Sequence, residues 1–251
     1  MRKLFIICLI AFIGIANLTC SKDAATTYAA ASGTGQGGSL ARFTIVGNCL
    51  YTVDNEKLKV FSIIDPANPI LKKTIDAGFE IETIYPFKDK LFIGSTSVIH
   101  IFSIDDPENP QKLSTAISPT VMRRCDPVVA KDSVAFATLR TNGPCGGMES
   151  KLVAFDIKNI TNPIQRASIS VSEPYGLGYA DTILYVCDRY QGLLIFNIKN
   201  AYNPGLINSI SGNWYLDVIP YYNTLICWVS DGVILYDISN PASPKFIAKI
   251  T

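Results

Sequence analysis

Five times along this chain a β-branched run ends in an aromatic residue, and seven residues later comes Asn-Pro or Ser-Pro. The copies read LKVFSIIDPANPILKKTI from Leu58, VIHIFSIDDPENPQKLSTAI from Val98, LVAFDIKNITNPIQRASI from Leu152, GLLIFNIKNAYNPGLINSI from Gly192 and VILYDISNPASPKFIAKI from Val233. Their aromatics, Phe61, Phe102, Phe155, Phe196 and Tyr236, lie 41, 53, 41 and 40 residues apart. Asn68, Asn109, Asn162, Asn203 and Ser243 each precede a proline, and Asp65, Asp106, Asn159, Asn200 and Asn240 stand three residues earlier. A unit this small cannot bury its apolar surface alone, so the copies must pack on one another. A period near 40 rich in β-branched residues marks a propeller blade rather than a helical solenoid.

The local chemistry agrees with this reading. Asp and Asn open a turn by accepting a hydrogen bond from their own backbone two residues on, and proline presets φ for the next segment. Proline cannot donate to a sheet ladder, so each Asn-Pro belongs at a strand boundary, between the third and fourth strands of a blade. The fourth copy shows all four strands: YGLGYA, ILYVCD, GLLIFNI and GLINSIS. The other first strands are FTIVG, TIYPF, PVVAK and DVIPY, ending in tight turns such as Gly47-Asn48, Lys131-Asp132 and Tyr222-Asn223. The second and third strands lack clean polar alternation, as expected where both sheet faces pack on neighbours. The expected fold is therefore all-β: residues 40–251 form a five-bladed β-propeller of four-stranded antiparallel blades closed in a ring. Both ends are whole blades, so no strand exchange is needed to close it.

The runs GLLIFNIKNAYNP and VILYDISNPASP resemble the LVIVD repeat, a Leu-hydrophobic-Ile-Val-Asp unit followed by a proline-rich turn. The resemblance extends over all five copies. It implies a secreted or surface β-propeller, usually without an assigned reaction, and it brings no catalytic residue with it.

Residues 1–19 read as a signal peptide, with Arg2 and Lys3 ahead of an apolar stretch from Leu4 to Ala16. That stretch is too short to span a bilayer comfortably. NLTC resembles a bacterial lipobox, in which Cys20 becomes the lipidated first residue, although Asn17 and Thr19 depart from the usual pattern. The SKD after it resembles the short Lys-acidic tag of Bacteroidota surface lipoproteins. Residues 20–39, small, polar and Gly-rich, read as the lipidated Cys and a flexible tether. The expected location is thus the outer membrane, lipid-anchored and exposed at the cell surface.

With 22 basic and 21 acidic residues, no field draws in a polyanion, and nucleic acid is not an expected partner. The single histidine, His100, lies inside a strand, and no Cys-x-x-Cys, P-loop or dinucleotide fingerprint occurs, so neither cofactor nor metal is expected. On a repeated scaffold the variable loops carry binding. Links between blades and the hairpins joining second to third strands share one face of the disc. The candidate ligand-binding residues there are Arg42, Asp126, Tyr175, Arg189, Tyr190, Trp214 and Asp217, with Thr83, Arg123, Arg124, Glu173 and Tyr215 close by. Aromatic rings beside charged groups suit a glycan or a peptide. The leading reading is a monomeric, non-enzymatic binding or scaffold module. The alternative is a glycoside hydrolase using Asp126, Glu173 and Asp217, since two carboxyls roughly 5–10 Å apart are the minimum for that chemistry. Of the cysteines, Cys49, Cys187 and Cys227 read as small core residues. Cys125 and Cys145 are expected to form a disulfide that pins the insertion responsible for the 53-residue spacing.

Overall fold

The computed structural model describes residues 37–96, 98–118, 125–141 and 149–251, without the side chains of Cys125 and Asp126. Blade one holds β1 (Phe43–Val46), β2 (Cys49–Val53), β3 (Lys57–Ser62) and β4 (Ile70–Asp76). Blade two holds β5 (Ile81–Phe87), β6 (Lys90–Ser95), β7 (Val98–Ser103) and β8 (Gln111–Ile117). Blade three holds β9 (Cys125–Lys131), β10 (Val134–Leu139), β11 (Ser150–Asp156) and β12 (Ile164–Val171). Blade four holds β13 (Pro174–Ala180), β14 (Ile183–Asp188), β15 (Gly192–Asn197) and β16 (Gly205–Ile210). Blade five holds β17 (Tyr215–Tyr221), β18 (Thr224–Val229), β19 (Gly232–Asp237) and β20 (Lys245–Ile250). Each blade is one antiparallel sheet in chain order, and no strand is lent to a neighbour.

The repeated residues act locally, and identically in every blade. Each Asp or Asn at the start of the link accepts a backbone N–H two residues on, at 3.1 Å for Asp65 and 3.2 Å for Asn200. Its carbonyl accepts the N–H three residues on, closing a turn that delivers the proline to the strand boundary. At the aromatic itself the ladder to the fourth strand slips by one residue, between Val60 and Phe61 and at the matching place in all five blades. A bulge of this kind bends the strand locally and adds to the right-handed twist that the strands already carry. Each first hairpin turns through a left-handed residue: Gly47, Lys88, Asp132, Asp181 or Tyr222. In blade three the turn is thus Asp132-Ser133, one residue later than the expected Lys131-Asp132.

Packing between blades breaks the symmetry. Four apolar clusters join blades one to two, two to three, three to four and four to five. The repeat aromatic of each blade faces the blade before it, so Phe102, Phe155, Phe196 and Tyr236 are buried. Phe61 has the same place in blade one and stays half-buried. Leu50 on blade one and Ile226 and Leu235 on blade five are half-buried too, and Trp228 is 53 % exposed. Among the described residues no fifth cluster forms between blades five and one. The expectation of two packed faces on every blade therefore holds for the inner three and fails at the seam, where β2 and β18 each bury one face only.

Polar contacts from the N-terminal segment span that seam instead. Ser39, expected to be the last tether residue, is 1 % exposed and belongs to the propeller. Its hydroxyl donates to Asp217 Oδ1 of blade five at 3.0 Å and accepts the Leu177 N–H of blade four at 2.8 Å. The Leu40 N–H donates to Asp217 Oδ2 at 3.2 Å, and the Ala41 carbonyl accepts the Ile84 N–H of blade two at 2.9 Å. A few residues of main chain thereby connect blades two, four and five to the start of blade one.

Candidate functional site

Asp217 is not exposed at the channel mouth. Its residue is 8 % exposed and its carboxylate is enclosed, accepting from Ser39, Leu40 and the Val218 N–H. Burial is the main influence on it and pushes its pKa up to about 6, against the opposing pull of those donors. Gly38 and Gly176 flank it so closely that a Cβ on either would lie 2.0 Å from a carboxylate oxygen. The glycines of YGLGYA thus allow β13 and β17 to approach, with Gly178 set against Pro220 in the same way. What is left of the axial channel is a cavity of about 120 Å³ bordered by Ser39, Tyr85, Tyr179 and Pro220. That volume corresponds to roughly four waters.

Arg42 is exposed and borders a separate cleft with Asn55, Glu80 and Thr96. Its guanidinium donates to the Ile81 and Glu82 carbonyls at 3.0 and 3.2 Å, and so braces blade one on blade two, apart from the other candidates. Thr83 and Tyr215 are buried, and the Tyr215 hydroxyl meets that of Tyr236 at 2.6 Å. Arg123, Arg124, Cys145, Cys20 and the side chains of Cys125 and Asp126 lie outside the described residues. The expected disulfide, the lipid anchor and one of the three acids therefore have no structural account. Cys49, Cys187 and Cys227 are free and buried, as expected of core thiols.

Four of the expected ligand residues do come together, above blades three to five. Arg189 stacks on Trp214, its guanidinium carbon 4.3 Å from the ring centroid, and reaches Glu173 Oε1 at 3.3 Å. Tyr175 meets Trp214 edge to face at 6.0 Å and donates its hydroxyl to the same Glu173 oxygen at 3.1 Å. Arg140, from the preceding blade, covers the other part of Tyr175 at 4.2 Å, and Tyr190 stands 72 % exposed at the outer end. Two guanidinium groups flank a pair of rings in this row, and each cation–ring contact contributes about 0.5–1 kcal/mol where exposed. Burial leads the influences on the Tyr175 hydroxyl and raises its pKa, so the ring stays a neutral donor to Glu173. The Trp214 indole nitrogen is buried without an acceptor among the described residues.

One residue that shapes this site was not anticipated. Asp188 is fully buried, and its two oxygens accept four backbone N–H groups, from Ser172, Glu173, Tyr190 and Gln191, at 2.9–3.0 Å. It ties the link before β13 to the hairpin after β14, and thereby places Glu173 against Arg189. The Asp-Arg-Tyr-Gln-Gly run at a hairpin was the available signal, since Asp at a turn accepts local backbone donors. The arrangement also bears on the hydrolase reading. Glu173 is ion-paired in the row and Asp217 is enclosed behind Ser39, so each of these two carboxylates already has a partner.

Fold and site together define a repeat β-propeller protein whose loop face carries a cation–aromatic row. The family model described as the LVIVD repeat matches residues 228–251, within blade five. No curated protein matches the chain. Among solved structures, the computationally designed Ika8 protein superposes with a TM-score of 0.61 at 12% identity, over 83% of this chain and 60% of its own. The chain thus spans about three-fifths of that protein's length. A protein from Lactobacillus plantarum gives 0.61 at 14% identity, over 80% of this chain and 67% of its own. A functionally unknown protein from Desulfotomaculum acetoxidans gives 0.52 at 12% identity, over 80% and 79%. Identities this low speak to the fold alone.

Proposed function

We propose that this protein is a non-enzymatic binding module for a protein or glycan, held by lipid on Cys20 at the outer surface of the outer membrane. The observation carrying the reading is the Arg140–Tyr175–Trp214–Arg189 row, with an indole N–H that has no acceptor among the described residues. Ring faces bind sugar faces or peptide side chains, and guanidinium groups bind carboxylates, without any bond being made or broken. Anchoring is supported by the sequence around Cys20 and the small-residue tether after it. Cys20→Ala is expected to release the protein from membranes while its circular dichroism stays that of a β-protein. A variant that still sediments with membranes removes the anchor from the proposal.

The released Cys20→Ala chain is suited to glycan and peptide arrays. Its hits should weaken at least tenfold in Trp214→Ala and in Arg189→Ala, about 1.4 kcal/mol each. Arrays without hits, or hits indifferent to both substitutions, would remove the row from the function.

A further inference from the structure

A second site lies on the opposite face of the disc, where the repeat fails in one specific way. In blade one the Tyr51 hydroxyl donates to the Pro107 carbonyl in the link of blade two, at 2.8 Å. In blade four Tyr185 does the same to Pro241 of blade five, at 2.7 Å. Blade two has Phe92 at that position, and Ser114 supplies the missing donor to the Ile160 carbonyl of blade three. Blade three has Phe136, whose ladder partner Ala154 precedes the repeat aromatic just as Val60 and Ile195 do for the two tyrosines. The matching acceptor is the Ala201 carbonyl, and no side-chain donor among the described residues reaches it.

Beside it opens a cavity of about 510 Å³, with Phe136, Val134 and Ile198 buried in its wall and Lys131, Lys158 and Lys199 around it. Lys131 is engaged by Asp132, the one carboxylate lining the cavity, at 2.6 Å. Lys158 lies over the Tyr202 ring at 5.8 Å, and neither it nor Lys199 is ion-paired among the described residues. Lys158, which feels the Asp156 carboxylate, and Lys199 bring two ammonium groups beside the half-buried Ala201 and Tyr202, a match for a dianionic head on a flat apolar body. We infer that this cavity between blades three and four binds a small organic phosphomonoester. The head sits between Lys158 and Lys199, and the body against Ala201 and Tyr202.

The site shares no residue with the cation–aromatic row, so either can fail alone. Calorimetric titration of the full chain with phenyl phosphate should show one site, with inorganic phosphate and benzyl alcohol each binding at least tenfold more weakly. Lys158→Gln with Lys199→Gln, both at exposed positions, should weaken phenyl phosphate at least tenfold. Phe136→Tyr should place a hydroxyl against Ala201 and raise the melting temperature. No binding of phenyl phosphate, or equal binding by the double lysine variant, overturns the inference. So does equal affinity for benzyl alcohol, which would make the cavity merely apolar.

Discussion

Gly176→Ala is expected to destabilise the propeller by about 3 kcal/mol, lowering its melting temperature by roughly 6–12 °C. The new Cβ would lie 2.0 Å from Asp217 Oδ1 and 2.7 Å from the Asp217 Cα. Turning the carboxylate relieves the first contact and breaks the Ser39 bond, leaving a buried acceptor poorly satisfied. The second contact is with main chain, so only separation of β13 from β17 relieves it. Gly205→Ala is the matched control: also in a blade-four strand, it meets nothing within 4 Å and should change stability by less than about 0.5 kcal/mol. Thermal melts of the two variants side by side decide the matter. Equal melting points would mean that the close approach of blades four and five is not constrained as described.

Acidification is expected to leave the parent nearly flat in stability between about pH 6.5 and 4, while two single variants slope in opposite directions. Burial holds Asp217 at about 6, above its ordinary 3.8. In that window the folded form binds more protons than the unfolded one, so this group adds stability as pH falls. His100 is the reverse. It is packed against Gly78 near Thr115, and burial, with a smaller contribution from Lys112, lowers its pKa from 6.5 to about 4. There the unfolded form binds more protons, so this group removes stability as pH falls through the same range. Each effect is about 3 kcal/mol at 1.36 kcal/mol per pKa unit. His100→Gln should therefore grow more stable toward pH 4, and Asp217→Asn less stable. Denaturant midpoints across pH check both signs. The exposed carboxylates whose pKa values are lowered by turns and lysines, such as Asp65 and Asp237, lose their contribution mainly below this window and in the same way in all three proteins. Parallel profiles for the two variants would show that neither buried group titrates as its surroundings require.

The blade count, the strands of each blade and the Asn-Pro links were legible because their causes are short-ranged. An Asx turn closes within three residues, and a bulge forms beside the aromatic that marks it. Each copy repeats that chemistry and so confirms the others. The row was legible in part, since Tyr175, Arg189, Tyr190 and Trp214 flank strands whose ends had to share a face. Asp188 escaped because its four donors come from two loops that only the folded blade brings together.

The tertiary structure alone decided the rest. Asp217 looked like a mouth residue until Ser39, 178 positions away in the chain, covered it. No local pattern could report a hydrogen bond of that span. The seam was decided the same way, by which blade faces lack a neighbour. Lys57 and Lys59, alternating with Leu58 and Val60 in β3, were its one trace in the sequence. Local hydrogen bonding makes a blade, and so the chain itself determines five of them. Closure of the ring depends on apolar area and on which distant groups meet, and only the assembled propeller settles those.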